Sequence, residues 1–165
     1  QLHWPDNLLL LVVPRHPQRF EEVANQISQR GLSLQKRSAG LPIAANTRVV
    51  LGDSMGEMFA YFSVANVAII GGSIQPLGGQ NLIEACAVGT PVLFGTHMFN
   101  FAEASRLALE AGAAQQADSA LDLLTRAHAL LQDPLRQKQM GAAGVAFAQS
   151  HRGATERIIA LLPDL

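Results

Sequence analysis

The sequence predicts an α/β fold, a Rossmann-like, doubly wound parallel sheet with helices on both faces. Short apolar runs alternate with stretches of helical spacing, and connections of only a few residues join them. Glycines or polar side chains follow most of the apolar runs. In sheets of this kind ligands bind beyond the carboxyl ends of the strands, so the loops that follow the strands are the first place to look for a site.

The first half of the chain contains three of the predicted strands. Pro17 and Gly31 mark the two ends of the first helix, because Pro suits the first turn of a helix and Gly the position after the last. Gly40 and Pro42 indicate a loop before the third strand. The predicted elements are a strand over 8–13, a helix over 18–30, strands over 32–36 and 47–51 with a loop over 38–45 between them, and a helix over 56–65.

The second half continues the alternation and closes with helices. The apolar run over 67–70 stops at Gly71, as a buried strand does where a loop begins. The predicted elements are strands over 67–70, 91–94 and 113–116, and helices over 79–88, 101–111, 119–131, 134–150 and 154–162.

Composition excludes several classes of function. The net charge is −1 and no basic cluster interleaves with aromatic residues, which argues against a nucleic-acid surface. Cys86 is the single cysteine and lies in an apolar helix, so we expect a small core residue in a reducing compartment. No apolar run approaches the roughly 20 residues that a membrane-spanning helix needs. We expect one domain over residues 1–165, and its start without Met suggests a C-terminal domain excised from a longer protein.

Arg15, His16 and Pro17 directly follow the first predicted strand. The forked guanidinium of Arg15 suits a phosphate or a carboxylate at the edge of the sheet. The alternative is a solvated surface arginine beside a proline that merely starts a helix. His16 caps a loop as readily as it contacts a ligand.

Residues 52–57 connect the third strand to a helix, and the spacing of Ser54 and Glu57 is that of a capping box. Capping alone explains these two residues. A functional interpretation requires the loop backbone to meet a nucleobase or ribose, with Met55 supplying an apolar contact.

Two glycine pairs surround the next junction between strand and helix, Gly71-Gly72 before Ser73 and Gly78-Gly79 further along. We expect backbone N–H groups left open at Gly78 and Gly79 to bind a phosphate at the start of the following helix. Neither a dinucleotide-binding fingerprint nor a P-loop is present.

Asn81 and Glu84 are three residues apart on that predicted helix, so they share a face. The Glu84 carboxylate would accept hydrogen bonds from a ribose diol, and among apolar neighbours it needs a polar partner. After the next strand, His97 and Asn100 place a titratable ring and an amide at the same edge. We expect at least one of Phe99 and Phe101 to pack against the next helix.

Taken together, these motifs resemble the C-terminal, donor-binding half of bacterial 3-deoxy-D-manno-octulosonic acid (Kdo) transferases. The family often has Gly-Pro-His where this chain has Gly95-Thr96-His97, and a histidine and a proline on either side of Asn81, and both departures leave Asn81, Glu84 and His97 in place. The segments that carry the resemblance are RHPQRF at 15–20, GDSMGE at 52–57, GGS at 71–73, GGQNLIEA at 78–85 and GTHMFNF at 95–101.

The resemblance implies a GT-B glycosyltransferase, in which two Rossmann-like domains face a cleft and the C-terminal one holds the sugar nucleotide without a metal or other cofactor. The implied donor is CMP-Kdo, and the implied acceptor is a lipid A precursor at the cytoplasmic face of the bacterial inner membrane, in lipopolysaccharide biosynthesis. Acceptor binding, the membrane anchor and a carboxylate general base are implied to lie in an N-terminal domain absent from this chain. The chain alone is then expected to be soluble, to bind CMP and to catalyse nothing.

The resemblance also implies roles for individual residues. Arg15 and a helix start at Gly79 to Asn81 would steady the CMP phosphate as it leaves, Glu84 would hold the ribose, and the loop from Ser54 to Gly56 would hold the cytosine. No metal ligand is expected. The implied donor-binding residues are Arg15, His16, Pro17, Ser54, Met55, Gly56, Glu57, Gly72, Ser73, Gly79, Asn81, Glu84, His97 and Asn100.

Two alternatives stay open at this point. A donor domain of another GT-B glycosyltransferase, or of a UDP-sugar epimerase, would prefer uridine to cytidine. A non-catalytic binding module that kept the fold and lost the chemistry would show no saturable nucleotide binding. The joint presence of Arg15, Asn81 and Glu84 counts against the second.

Overall fold

A computed structural model of the protein describes residues 3–151. The chain divides into two compact units, residues 1–61 and residues 62–165. All strand pairs within residues 3–151 are parallel, and α-helices separate most consecutive strands, which confirms the predicted α/β class. The hydrogen-bonded ladders form two three-stranded sheets, one in each unit. The strands are β1 Leu10–Val12, β2 Leu34–Lys36, β3 Val49–Leu51, β4 Ala68–Ile69, β5 Val92–Phe94 and β6 Ala114–Gln116.

The described helices have the predicted order, and their first and last residues lie within two positions of the predicted ones. The exception is the start of the helix predicted from residue 79, which begins at Ile83. Gly78 and Gly79 have φ angles of 88° and 73°, which a right-handed helix does not accommodate. The helix predicted over 154–162 lies outside the described residues. The helices are α1 Phe20–Gln29, α2 Met58–Val64, α3 Ile83–Ala87, α4 Ala102–Glu110, α5 Ala120–Leu131 and α6 Pro134–Ser150, with 3₁₀ turns at Pro17–Arg19, Arg37–Ala39 and Phe99–Phe101.

The first unit is built on β3, which pairs with β1 on one side and β2 on the other. Val49 and Leu51 are buried on this central strand and pack with Ala24 and Ile27 of α1. The amphipathic face of α1 thereby covers the sheet. The loops after β1 and β3 leave neighbouring strands at their carboxyl ends.

The second unit is built on β5, which lies between β4 and β6. Val92, Leu93 and Phe94 are at most 1% exposed, as expected of a parallel strand covered on both faces. Cys86 on α3 is fully buried, and burial raises the pKa of its thiol to about 11. The prediction that Cys86 is a core residue is therefore confirmed.

Glycines allow α3 and the turn after it to lie close against α6. A Cβ at Gly141 would overlap the carbonyl oxygen of Gly89, and a Cβ at Gly144 would lie 3.1 Å from the carbonyl oxygen of Cys86. The backbones of these elements are thus in direct contact, and no side chain fits between them.

We predict that Gly141→Ala destabilises the protein. Alanine gains about 1 kcal/mol of helix propensity, but its methyl group meets a backbone oxygen that cannot swing aside, and overpacking of this kind costs about 1–3 kcal/mol. Urea unfolding measures the net effect, which we expect to be a loss of stability. Ala142→Ser, at an exposed position of the same helix, serves as the control and should change the free energy of unfolding by less than about 0.5 kcal/mol. A Gly141→Ala variant as stable as the parent would contradict this packing.

Candidate functional site

In the second unit, the loops that follow β4 and β5 are joined by backbone hydrogen bonds. The His97 N–H donates to the carbonyl of Ser73 at 2.8 Å, and the Asn100 N–H donates to the carbonyl of Gly78 at 3.2 Å. The strands are neighbours in the sheet, so their loops meet at its carboxyl edge. The structure therefore brings together the segments that contain Ser73, Gly79, His97 and Asn100.

The Ser73 side chain links these two loops from the inside. It is fully buried, its hydroxyl donates to the carbonyl of Ile70 at 2.6 Å, and it accepts from the N–H of Gly95 at 2.8 Å. A Cβ at Gly95 would overlap the carbonyl oxygen of Ser73. Ser73 was predicted to contact the donor, and its burial makes it a support of the loops instead.

Gly78 and Gly79 were predicted to leave their N–H groups open for a phosphate, and Gly72 to contact the donor. The N–H of Gly79 instead donates to the carbonyl of Gly72 at 3.0 Å. A Cβ at Gly78 would overlap the Asn100 amide, and one at Gly79 would overlap the Met98 sulfur. Packing against the 95–100 loop therefore accounts for this glycine pair without a ligand.

The predicted phosphate site at the start of the following helix is also revised. Helix α3 has only five residues, so its dipole is small, and the Asn81 side-chain oxygen accepts the N–H of Ile83 at 3.0 Å. The structure therefore gives no support to a phosphate site at residues 79–81.

Asn81 and Glu84 lie together, as their spacing predicted. The Asn81 amide nitrogen donates to Oε1 of Glu84 at 3.1 Å, and both side chains are half-buried. Asn81 is thus the polar partner that an acid among apolar neighbours requires. A carboxylate has about four acceptor positions and Asn81 uses one of them, so Glu84 retains the capacity to accept from a ligand diol.

His97, Asn100 and the phenylalanines complete the second loop. His97 is half-buried and Asn100 is exposed. Phe101 packs against the core of the second unit, while Phe99 is 61% exposed. The prediction that at least one phenylalanine packs is therefore confirmed by Phe101.

In the first unit, Arg15, His16 and Pro17 are exposed just beyond β1. Pro17 opens the 3₁₀ turn that leads into α1, and the His16 carbonyl accepts the N–H of Arg19 at 3.0 Å. Pro17 therefore starts a helical segment, as predicted. The exposed guanidinium of Arg15 follows a strand end, where an anion is able to reach it.

Glu57 is the most densely bonded residue of the loop after β3. Its carboxylate accepts from the Ser54 hydroxyl, from the Tyr61 hydroxyl at 3.0 Å and from Nη2 of Arg37 at 2.9 Å. These hydrogen bonds, with Ser54 first, then Tyr61 and the Arg37 charge, hold the pKa of Glu57 below its ordinary value. Ser54 and Glu57 were predicted to contact the donor, yet here their side chains bond to each other.

Asp53 anchors the other end of the same loop. Its carboxylate accepts from the Ser38 N–H at 2.8 Å and from the Ser38 hydroxyl at 2.6 Å. Burial acts to raise the pKa of Asp53, but the Ser38 hydrogen bonds outweigh it and the pKa lies below its ordinary value. Between the two anchors, Met55 is 65% exposed and Gly56 has φ +82°.

Sequence reasoning did not select Arg37, Ser38, Asp53 or Tyr61. Arg37 and Ser38 lie 20 and 15 residues from the acids they bond. No local motif signals pairs at this separation. A hint was available only for Tyr61, which is one helical turn from Glu57.

Within residues 3–151, no group of three or more His, Cys, Asp or Glu side chains is arranged to hold a metal ion. No helix in that range combines the length and the apolar character needed to cross a membrane.

Parallel strands with polar, glycine-containing loops at their carboxyl edge define the class of α/β domains that hold ligands at strand ends. No family profile matches the chain. It is 50% identical over 157 residues to a 3-deoxy-D-manno-octulosonic acid transferase from Bordetella pertussis and 40% identical over 157 residues to one from Haemophilus influenzae. In both cases the match covers 94% of this chain and 37% of the relative. The chain thus spans little more than a third of the length of these relatives.

A solved structure is also similar. The C-terminal CMP-Kdo binding domain of WaaA from Acinetobacter baumannii superposes with a TM-score of 0.81 at 34% identity, covering 86% of this chain and 74% of that one. The fold is therefore that of the C-terminal half of a GT-B glycosyltransferase. The chain belongs to the 3-deoxy-D-manno-octulosonic acid transferase family.

We predict that Ser73→Ala destabilises the protein by about 1–3 kcal/mol, because it leaves the buried N–H of Gly95 without its acceptor. Chemical unfolding measures the loss. Ser28→Ala is the matched control: that hydroxyl bonds only back to the Ala24 carbonyl within α1, so its removal should be neutral or slightly stabilising. Equal effects at the two serines would show that Ser73 does not hold the loops.

We predict that the stabilisation provided by Glu57 depends on pH. Because its folded-state pKa is lowered from 4.5, the contribution is present above pH 4.5 and is lost as the pH falls through the folded-state pKa. Urea unfolding of the parent and of Glu57→Gln, compared at neutral and at acidic pH, should show a parent advantage that shrinks on acidification. An advantage that grows as the pH falls would contradict the assigned hydrogen bonds.

Proposed function

We propose that this chain is the donor-binding part of a glycosyltransferase that moves Kdo from CMP-Kdo to a lipid A precursor in lipopolysaccharide biosynthesis. The observation that carries the proposal is the likeness, across most of the chain, to a domain described as binding CMP-Kdo. The full-length relatives named as Kdo transferases support the reaction.

In the second unit, the ribose is assigned to Glu84. A carboxylate held in one orientation is able to accept hydrogen bonds from both hydroxyls of a diol. Asn81 fixes that orientation, because its amide contacts both Glu84 and the backbone of Ile83. The acceptor is therefore oriented before the ribose binds, and little binding free energy is lost in ordering it.

In the first unit, the phosphate is assigned to Arg15 and the base to the segment 54–56. When the bond between the sugar and the phosphate breaks, negative charge grows on CMP, and a guanidinium next to the phosphate stabilises that charge without a metal. Met55 offers an apolar surface to a pyrimidine, and Gly56 keeps the backbone beside it uncovered. The sequence predicted two groups that stabilise the CMP phosphate, namely Arg15 and the helix start at residues 79–81. Only Arg15 is kept in the proposal.

The rest of the reaction is assigned to the part of the relatives that this chain does not span. A carboxylate general base, the acceptor site and the association with the cytoplasmic face of the inner membrane would all belong there. On this proposal the isolated chain binds CMP and has no transferase activity.

Calorimetric titration of the chain with CMP, UMP and AMP, without added metal, tests the proposal. We expect saturable binding that is strongest for CMP. A preference for UMP would favour a UDP-sugar enzyme of the same fold, and no binding of any nucleotide would contradict the proposal for this chain.

We predict that Glu84→Ala weakens CMP binding by about 1–3 kcal/mol, or roughly 5- to 150-fold, because the ribose loses its acceptor. Glu110→Ala is the control, since Glu110 is an exposed glutamate on α4 whose carboxylate pairs with Arg106. Its CMP affinity should equal that of the parent. Unchanged affinity in a folded Glu84→Ala variant would remove Glu84 from the site.

A further inference from the structure

The 3₁₀ turn Arg37–Ala39 holds both ends of the loop after β3. Arg37 donates to Oε1 of Glu57 at 2.9 Å, and Ser38 donates twice to Asp53, at 2.8 and 2.6 Å. Tyr61, 8% exposed, donates to the other oxygen of Glu57 at 3.0 Å. We refer to Arg37, Glu57 and Tyr61 as the Glu57 cluster.

The middle of this loop does not share that restraint. Met55 is 65% exposed, and a Cβ at Gly56 would have no neighbouring atom within 4 Å, while the φ of +82° there favours glycine. The loop is therefore fixed at its ends and presents its centre to solvent. This is the arrangement of a contact segment whose conformation is set before a ligand arrives.

The Glu57 cluster also pairs the negative charge of Glu57 with a positive one. Glu57 is ionised at neutral pH, as an ordinary glutamate is, and an unpaired carboxylate there would oppose the approach of a negatively charged nucleotide. The Arg37 guanidinium pairs with it across 2.9 Å. Arg37 thus both positions the loop and compensates its charge.

We propose that Arg37, acting through Glu57, is a positioning residue that sets the shape of segment 54–56 for a pyrimidine base and contributes to the choice between cytosine and uracil. The inference rests on the proposed function, which assigns the base to this segment. Arg37 itself is not assigned a contact with the nucleotide. Tyr61 acts on the same carboxylate from the helix side.

The test compares CMP and UMP affinities of the parent with those of Arg37→Gln and Arg37→Lys by calorimetry. We expect Arg37→Gln to weaken CMP binding by about fivefold to tenfold and to bring the CMP and UMP affinities closer together, because the loop must then be ordered on binding. Arg37→Lys keeps the charge and one donor, so it should restore part of both properties. Loss of an exposed ion pair alone would leave the ratio of the two affinities unchanged.

Two more variants complete the design. Arg106→Gln breaks a comparable arginine cluster, with Glu103 and Glu110 on α4, and should leave nucleotide binding as in the parent. Tyr61→Phe keeps the buried ring and removes one donor to Glu57, so a smaller loss in the same direction is expected even if Arg37→Gln does not fold. A parent that binds CMP, together with folded Arg37 and Tyr61 variants of unchanged affinity and base preference, would overturn this inference alone. A parent that does not bind CMP would overturn the proposed function and this inference with it.

Discussion

The buried hydroxyl of Ser73 is the interaction on which the carboxyl edge of the second unit depends. It donates to the carbonyl of Ile70 and accepts from the N–H of Gly95, so it connects the end of β4 to the end of β5. With these loops joined, the Gly78 carbonyl meets the N–H of Asn100. The fully buried Ser73 side chain thus helps to position the exposed side chains of both loops.

In the first unit, two carboxylates hold the loop after β3 in place. Asp53 accepts from Ser38, and Glu57 accepts from Arg37 and Tyr61. If this loop contacts a nucleotide, as proposed, the contact falls on the loop centre rather than on these two acids, whose carboxylates are already hydrogen-bonded.

The sequence was a good guide wherever the determining interactions are local. Helix α6 spans the predicted residues 134–150, and in the structure the Asp133 side chain caps its first turn by accepting the N–H of Arg136. Asn81 and Glu84 meet because only three residues separate them where the chain enters α3. The α/β class follows from the alternation of apolar runs with helical spacing.

Interactions across long sequence separations were beyond sequence reasoning. The glycine pair 78–79 resembled a phosphate loop, but its conformation serves the packing of Met98 and Asn100, which follow the next strand. The link between Arg37 and Glu57 spans 20 residues and leaves no periodic signal. In both cases the partner of the residue depended on proximity in the folded chain, which the sequence does not display.

If the loops at the strand ends hold CMP, as proposed, hydrogen exchange of the backbone amides measured with and without CMP should show added protection by CMP at segments 54–56 and 81–84. The response to UMP should be weaker, and α5 should not change. Protection confined to the outer helices, or an equal response to both nucleotides, would contradict the proposal.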